Sequence, residues 1–395
     1  MTFHRPFRRQ IRFTREMKNL PRNVKLISLM MFIYYIGWGI SEPFMNIYFK
    51  DILGSYTALG FIAGLLPLFG IIWALTAARF EDRIHKNKLI SSILLLYLPI
   101  SFIILNLRSL LSFVSFRFYH AFLATNLWLS SETFLRKYSV KNKTAESIGL
   151  FDSAFGLSLI IGPIIGGLLI AEYSYKIFYT ISLFAFLAFL VSLNLRDKIK
   201  VVKKKPAKIS FKQEFKDFYN NKKLFHLASF HFFLTISSAF LIMLLPLFYK
   251  ELGASFLQIG ILTSLFYIPQ IFESFFSTLQ NKKRAVMISL LSAAVLALFL
   301  FKIQNIYLLL IIAFLLGLCL SCIGPIIQGK AASYMPRNKI GQLYGVQYSM
   351  IHLASAIGPF FAGIIADNLG LNYIFIIAAI IYSLLFIVNF SKKLI

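Results

Sequence analysis

Acidic residues are scarce in this chain of 395 residues: Asp and Glu number 15, and only 14% of residues carry a charge at all. Its two cysteines, Cys319 and Cys322, cannot build a disulfide framework, and both fall inside an apolar run, so nothing points to an oxidising compartment. His, Asp and Glu form no cluster with metal-ligand spacing and no nucleophile–base spacing occurs in the loops, while Cys319-Leu-Ser-Cys322 imitates a redox or zinc pair but lacks a second ligand pair and reads as small packing residues. Neither a metal nor a cofactor is expected, and enzymatic chemistry is not. What is plentiful is apolar side chain, 58% of the sequence, too much for an ordinary soluble domain.

The apolar residues fall in runs near 26–49, 57–79, 89–107, 110–134, 147–170, 177–195, 225–248, 256–279, 285–303, 306–329, 343–366 and 373–391. A helix needs about 20 residues to cross the hydrocarbon layer. Twelve membrane spans are therefore predicted in an all-α membrane protein.

The net charge of +26 is distributed by topology. Of the 41 Lys and Arg, 35 lie in the N-terminal stretch, the C-terminal tail and the loops between spans 2–3, 4–5, 6–7, 8–9 and 10–11. The alternate loops hold only Lys50, Arg108, Lys176, Lys250 and Lys302, with Arg117 left inside span 4. By the positive-inside rule both termini are cytoplasmic, in the cell (inner or plasma) membrane, and the charge faces anionic lipid headgroups rather than nucleic acid. Residues 1–25 read as a retained basic anchor, not a cleavable signal. The Gly-rich Gly324–Lys330 stretch lacks the Ser/Thr and the preceding strand of a phosphate loop. Asn142-Lys-Thr144 is a glycosylation sequon on the cytoplasmic side, expected to stay bare.

The expected organisation is a six-span bundle over 26–195, a cytoplasmic linker over 196–224, a second bundle over 225–391 and a tail over 392–395. Within the linker, Phe211, Phe215, Phe218 and Tyr219 share one helical face after Ser210-x-x-Gln213, which predicts an amphipathic surface helix. The halves repeat. At a fixed offset of 196, Tyr138, Asn142, Lys143, Gly149, Ser153, Leu157, Ile161, Gly162, Pro163 and Gly167 recur as Tyr334, Asn338, Lys339, Gly345, Ser349, Leu353, Ile357, Gly358, Pro359 and Gly363. A weaker echo pairs Lys50-Asp51 with Lys250-Glu251, each closing the first span of its half. Such repeats place substrate sites at their interface near the midplane.

The chain resembles the major facilitator superfamily over essentially its whole length. Between spans 2 and 3 the family carries G-x-x-x-D-R-x-G-R-R, and here stand Ala78, Asp82, Arg83, Lys86 and Asn87. The resemblance implies a gating role for Asp82, Arg83 and Lys86, Asp82 meeting the start of span 11 near Leu343, where a carboxylate is favoured by the helix end. Span 5 resembles the family's antiporter motif G-x8-G-x3-G-P-x2-G-G through Gly149, Ser158, Gly162, Pro163, Gly166 and Gly167. Span 11 repeats it at Gly345, Ala354, Gly358 and Pro359, so part of that signal belongs to the fold. The fold implied is two pseudo-symmetric six-helix bundles.

Ionisable groups inside spans are expensive to bury and carry function. Counted at about 1.5 Å per residue, Glu42 of span 1 and Arg117 of span 4 share a depth and form the leading proton-sensitive pair, a static bridge being the plainer alternative. His231 of span 7 and Glu273 of span 8 share another depth and suggest a relay from the cytoplasmic side, with His120 and His352 as substitutes for His231. Tyr34, Tyr35, Trp38, Asn126 and Trp128 are candidates to line a cavity.

The function expected is export of a small molecule in exchange for protons by alternating access, from a monomer. Uptake of a sugar, organic acid or peptide by proton symport is the alternative, with a lipid flippase or polytopic membrane enzyme behind it.

Overall fold

The computed structural model describes residues 20–80, 84–140, 143–197, 211–273, 276, 279, 282–336 and 339–392. Every described element of regular structure is helical. Span 1 is the helix Arg22–Leu53, opened after Pro21 and closed by Gly54, whose φ of 73° is the left-handed ending glycine tolerates. Span 2 is Tyr56–Phe80, span 4 Leu110–Tyr138, span 5 Thr144–Tyr173 and span 6 Tyr179–Ser192. In the second half, span 7 is Lys222–Glu251, span 9 Lys282–Lys302, span 10 Ile306–Ser333, span 11 Ile340–Leu369 and span 12 Tyr373–Lys392. Span 4 opens with a reciprocal cap between Ser109 and Ser112, although Arg117 and its polar neighbours leave it less apolar than the rest.

Two spans are less continuous than their apolar runs suggest, and both breaks lie at proline. Span 3 is helical over Lys86–Leu96 and resumes at Ile100–Leu105 after Pro99. Span 8, capped by Ser255 and Gln258, is α-helical over Phe256–Tyr267 and tightens into a 3-10 turn over Ile268–Phe272 around Pro269. Proline removes a backbone donor and crowds the preceding turn, so a regular helix does not pass through it unbent. Span 6 is entered through a 3-10 turn, Ser174–Phe178.

The pairing of helices repeats between the halves. Span 1 packs on spans 5 and 6, and span 7 on 11 and 12; span 3 packs on 6, and span 9 on 12. The halves meet chiefly where span 2 lies on span 11 and span 8 lies on span 5. Seen along the helices, one end carries the basic loops between spans 2–3, 4–5, 6–7, 8–9 and 10–11; we call it the basic end and the opposite one the far end.

The linker helix spans Phe211–Asn220. It does not lie wholly on a lipid surface. Phe218 is fully buried, Lys339 Nζ donates to Asp217 Oδ2 at 2.6 Å, and the helix packs on spans 7 and 11, leaving Phe215 and Tyr219 outward. The Lys339 bond and charge hold the Asp217 carboxyl below the usual carboxylate range.

Candidate functional site

Small residues set how closely two helix backbones approach, and both seams between the halves are built from them. In the first seam, Gly60 of span 2 lies against the Pro359 carbonyl, Gly64 against Ala356, and Gly363 against Tyr56 and Thr57. In the second, Gly260 of span 8 lies against the Pro163 carbonyl, Ser264 Oγ donates to the Ile160 carbonyl at 2.6 Å, and Gly167 lies against Phe256 and Leu257. The residues of span 11 are those of span 5 displaced by 196, so the seams are one contact made twice. Gly162 and Gly358 serve contacts within each half instead: a Cβ on Gly162 would come within 2.6 Å of Gly39 in span 1, and one on Gly358 within 2.9 Å of Ile236 in span 7. Gly149 lies half-buried in the same helix as Gly162.

Both seams sit toward the far end, which is shut by polar clasps. Asp367 of span 11 accepts the Ser55 hydroxyl at 2.6 Å and the backbone N–H groups of Tyr56 and Thr57 at 2.9 and 2.7 Å. It thereby caps span 2 from the other half, satisfying donors that a helix start leaves open. The echoed pairs also cross: Lys250 reaches Asp51 at 2.9 Å, and Tyr56 hydrogen-bonds Glu251.

Below the clasps, Glu42 enters a narrow crevice formed with Leu241, Leu245 and Pro246 of span 7 and Leu262, Thr263, Phe266 and Tyr267 of span 8. It is thus a carboxylate of one half inserted against the other. Arg117 lies close enough for the two charges to interact through space, yet they form no ion pair within 4 Å. The Arg117 guanidinium stands over the Phe49 and Phe116 rings at 5.2 and 5.6 Å, and its Nε has no hydrogen-bond partner.

One turn toward the basic end, the His120 ring stacks on Trp38 with centroids 4.3 Å apart and planes at 1°. One turn further, Tyr34 and Tyr97 meet at 5.0 Å. Nδ1 of His120, Nε1 of Trp38 and the Tyr97 hydroxyl make no hydrogen bond of good geometry. Spans 1, 3 and 4 therefore enclose a ladder of polar rings leading from Glu42. Tyr35 and Trp128, with Phe155, form an adjacent aromatic group, Tyr35 to Phe155 at 4.5 Å, and Tyr35 neighbours Tyr348 of the other half.

The proposed pairing of His231 with Glu273 is not made. His231 is buried in span 7 with Nδ1 unpartnered, whereas the charged neighbour of Glu273 is Asp152 of span 5. Equal depth on adjacent spans does not fix azimuth, and the 3-10 turn before Glu273 rotates its side chain relative to a regular helix. His352 donates its Nδ1–H to the Tyr348 carbonyl at 3.1 Å and packs on the Tyr348 ring. Asn126 donates one amide N–H to the Phe122 carbonyl at 2.7 Å, a bond within its own helix. Asp82 and Arg83 lie outside the described residues. Lys86 is described, and its side chain is buried rather than solvating the loop.

Sequence reasoning missed three groups. Thr263 and Tyr267 face Glu42 but sit in a uniformly apolar run. Asp197, read as a linker residue, is a buried junction: its carboxylate accepts from Lys137 Nζ and the Tyr138 hydroxyl, both at 2.8 Å, and from the Lys86 backbone N–H at 3.0 Å, with His85 at 3.8 Å. Burial alone would raise its pKa, but these bonds outweigh it and hold the carboxyl below its usual range. The reversal from linker to junction is legible only once the ends of spans 4 and 6 and the start of span 3 are brought together.

The profile of the Major Facilitator Superfamily matches residues 27–240 and 227–393. An uncharacterized MFS-type transporter of Methanocaldococcus jannaschii is 24% identical over 95% of this chain and 99% of its own length. The multidrug resistance protein MdtG of Escherichia fergusonii is 34% identical over 167 residues, 40% of this chain and 41% of its own. Among solved structures, the nucleoside transporter NupG superposes with a TM-score of 0.76 at 14% identity, covering 94% of this chain and 99% of that one. The human organic anion transporter MFSD10 superposes with a TM-score of 0.68 at 16% identity, covering 93% and 99%.

Proposed function

Because the chain belongs to the Major Facilitator Superfamily, and is thus a multi-pass membrane transporter rather than an enzyme, we propose that it exports a small molecule in exchange for protons, with Glu42 as the group that takes up and releases the proton. The observation that carries the reading is the placement of Glu42: a carboxylate of the first half, half-buried against Thr263 and Tyr267 of the second, beside the seam whose parting would open the far end. Protonated, it suits the apolar crevice. Ionised, it is drawn toward Arg117, its nearest opposite charge, and away from spans 7 and 8, which loosens the hold of one half on the other. Each proton moved inward supplies about 2.3 kcal/mol per 100 mV, enough to drive export uphill.

The basic end faces the cytoplasm in this reading, in the cell membrane, and the far end, shut by the clasps, faces outward. The partial likeness to multidrug resistance proteins supports export, and the aromatic group of Tyr35, Trp128 and Phe155 supports a flat or apolar cargo. The test is transport of a panel of fluorescent lipophilic dyes in proteoliposomes under an imposed pH gradient, wild type beside Glu42→Gln. Gradient-driven accumulation is expected in wild type and absent in the variant, with dye binding retained. Full proton-coupled flux in Glu42→Gln overturns the assignment. Uptake driven by protons moving with the cargo would establish symport instead.

A further inference from the structure

One groove in the described structure lies away from the interface between the halves. It has a volume of about 560 Å³ and lies between spans 9 and 10, lined by Ile288, Ser289, Ser292 and Val295 on one side and Leu315, Cys319 and Cys322 on the other, with Phe276 at its edge. Its lining holds no charge, and Ile288, Leu291 and Val295 point outward, so it opens to hydrocarbon. Its depth is defined by the helices. Ser289 and Leu296 lie about 10 and 21 Å along span 9 from Lys282, so with the lysine at the headgroups the groove straddles the bilayer midplane, roughly 15 Å in, where the distal part of an acyl chain lies.

The basic end of the same stripe carries the complementary charge. Span 9 begins Lys282-Lys283-Arg284, and Lys282, Ser289 and Leu296 are seven residues apart, which sets the lysine above the groove on one helix face. Lys282 is exposed and Lys283 half-buried. On span 10, Lys330 stands at the corresponding level, about 12 Å along the helix from Cys322. Cationic groups at headgroup depth over an apolar furrow at acyl depth are the two halves of a phospholipid site.

We propose that this groove binds an anionic phospholipid of the leaflet at the basic end, its phosphate held by Lys282 and Lys283 and one acyl chain lying between spans 9 and 10. The site is separate from Glu42 and occupies the outer wall of the second half.

The test uses the full chain in nanodiscs of phosphatidylcholine doped with a phosphatidylglycerol that carries a diazirine midway along one acyl chain. After irradiation and proteolysis, adducts are mapped by mass spectrometry. Adducts concentrated in residues 288–296 and 315–322 are expected, falling about fivefold for each of Lys282→Gln and Lys283→Gln. The two surface substitutions leave folding intact, and Ser292→Trp, which fills the groove, should remove the adducts while the protein stays monodisperse. Equal labelling by the phosphatidylcholine analogue, or adducts spread evenly over the outward helices, would overturn the proposal in favour of ordinary boundary lipid. Dye transport plays no part in this readout, so its result stands apart from that of Glu42→Gln.

Discussion

Gly60 and Gly260 hold equivalent posts: each presses its helix backbone onto the carbonyl of the seam proline in the other half, Pro359 for Gly60 and Pro163 for Gly260. A side chain at either position has no room while the far end is shut. Overpacking of this kind costs about 1–3 kcal/mol, which moves a two-state balance by roughly fivefold to 150-fold. Gly60→Val and Gly260→Val are therefore expected to part the far end. Spin labels at Tyr173→Cys and Leu369→Cys, in a background lacking Cys319 and Cys322, would show the longer distance growing; an unchanged distribution would mean that the seams do not set the state.

The repeat that predicts this symmetry is visible in the sequence as ten identities at one offset, but only for spans 5 and 11. The partners Gly60 and Gly260 are not at that offset, because the two halves differ by four residues between their second and fifth spans. The twelve spans were legible because lipid demands long apolar helices, and the breaks at Pro99 and Pro269 were the places where local chemistry overrode the apolar run. The depth of Glu42 and Arg117 was legible too. Which way each side chain turned was not, since depth fixes one coordinate of three; the charge that acts on Glu273 is accordingly that of Asp152. Polar groups of the second half that meet Glu42, such as Tyr267, carried no signal because tyrosine in an apolar run reads as packing.

Asp367 caps the start of span 2 across the gap between the halves. An ionised side chain at a helix start is worth about 1 kcal/mol more than a neutral or absent one. Asp367→Asn keeps a cap but loses the charge, and Asp367→Ala loses both. The same spin-label pair should report a graded opening, alanine beyond asparagine, and salt should weaken the wild-type clasp more than the asparagine variant's.

Asp197 ties the loop after span 6 to the ends of spans 3 and 4, and its carboxyl is held below the usual range. A carboxylate with a depressed folded pKa stabilises fully above its unfolded pKa and loses that contribution as pH falls through the lower folded value. The stabilisation is thus present at neutral pH and is lost only below the ordinary aspartate value of about 3.9. Asp197→Asn in detergent should unfold at a lower temperature than wild type at pH 7, the gap closing as the pH is taken below that value. A gap that widened with acid would contradict the hydrogen-bonded junction.

His120 lies flat on Trp38 at 4.3 Å, and its Nδ1 bonds to nothing. A proton relay needs a chain of hydrogen bonds at both ring nitrogens, whereas a stacked ring needs only its face. The ladder below Glu42 is thus a packed wall at this rung. Phenylalanine preserves the face and the burial, and aromatic pairs of this kind contribute about 0.5–1.5 kcal/mol. His120→Phe should then leave proton-coupled dye flux within about fivefold of wild type, a barrier change near 1 kcal/mol, while His120→Ala lowers both thermal stability and flux. Flux abolished in the phenylalanine variant, with its stability unchanged, would show that the imidazole carries the proton after all.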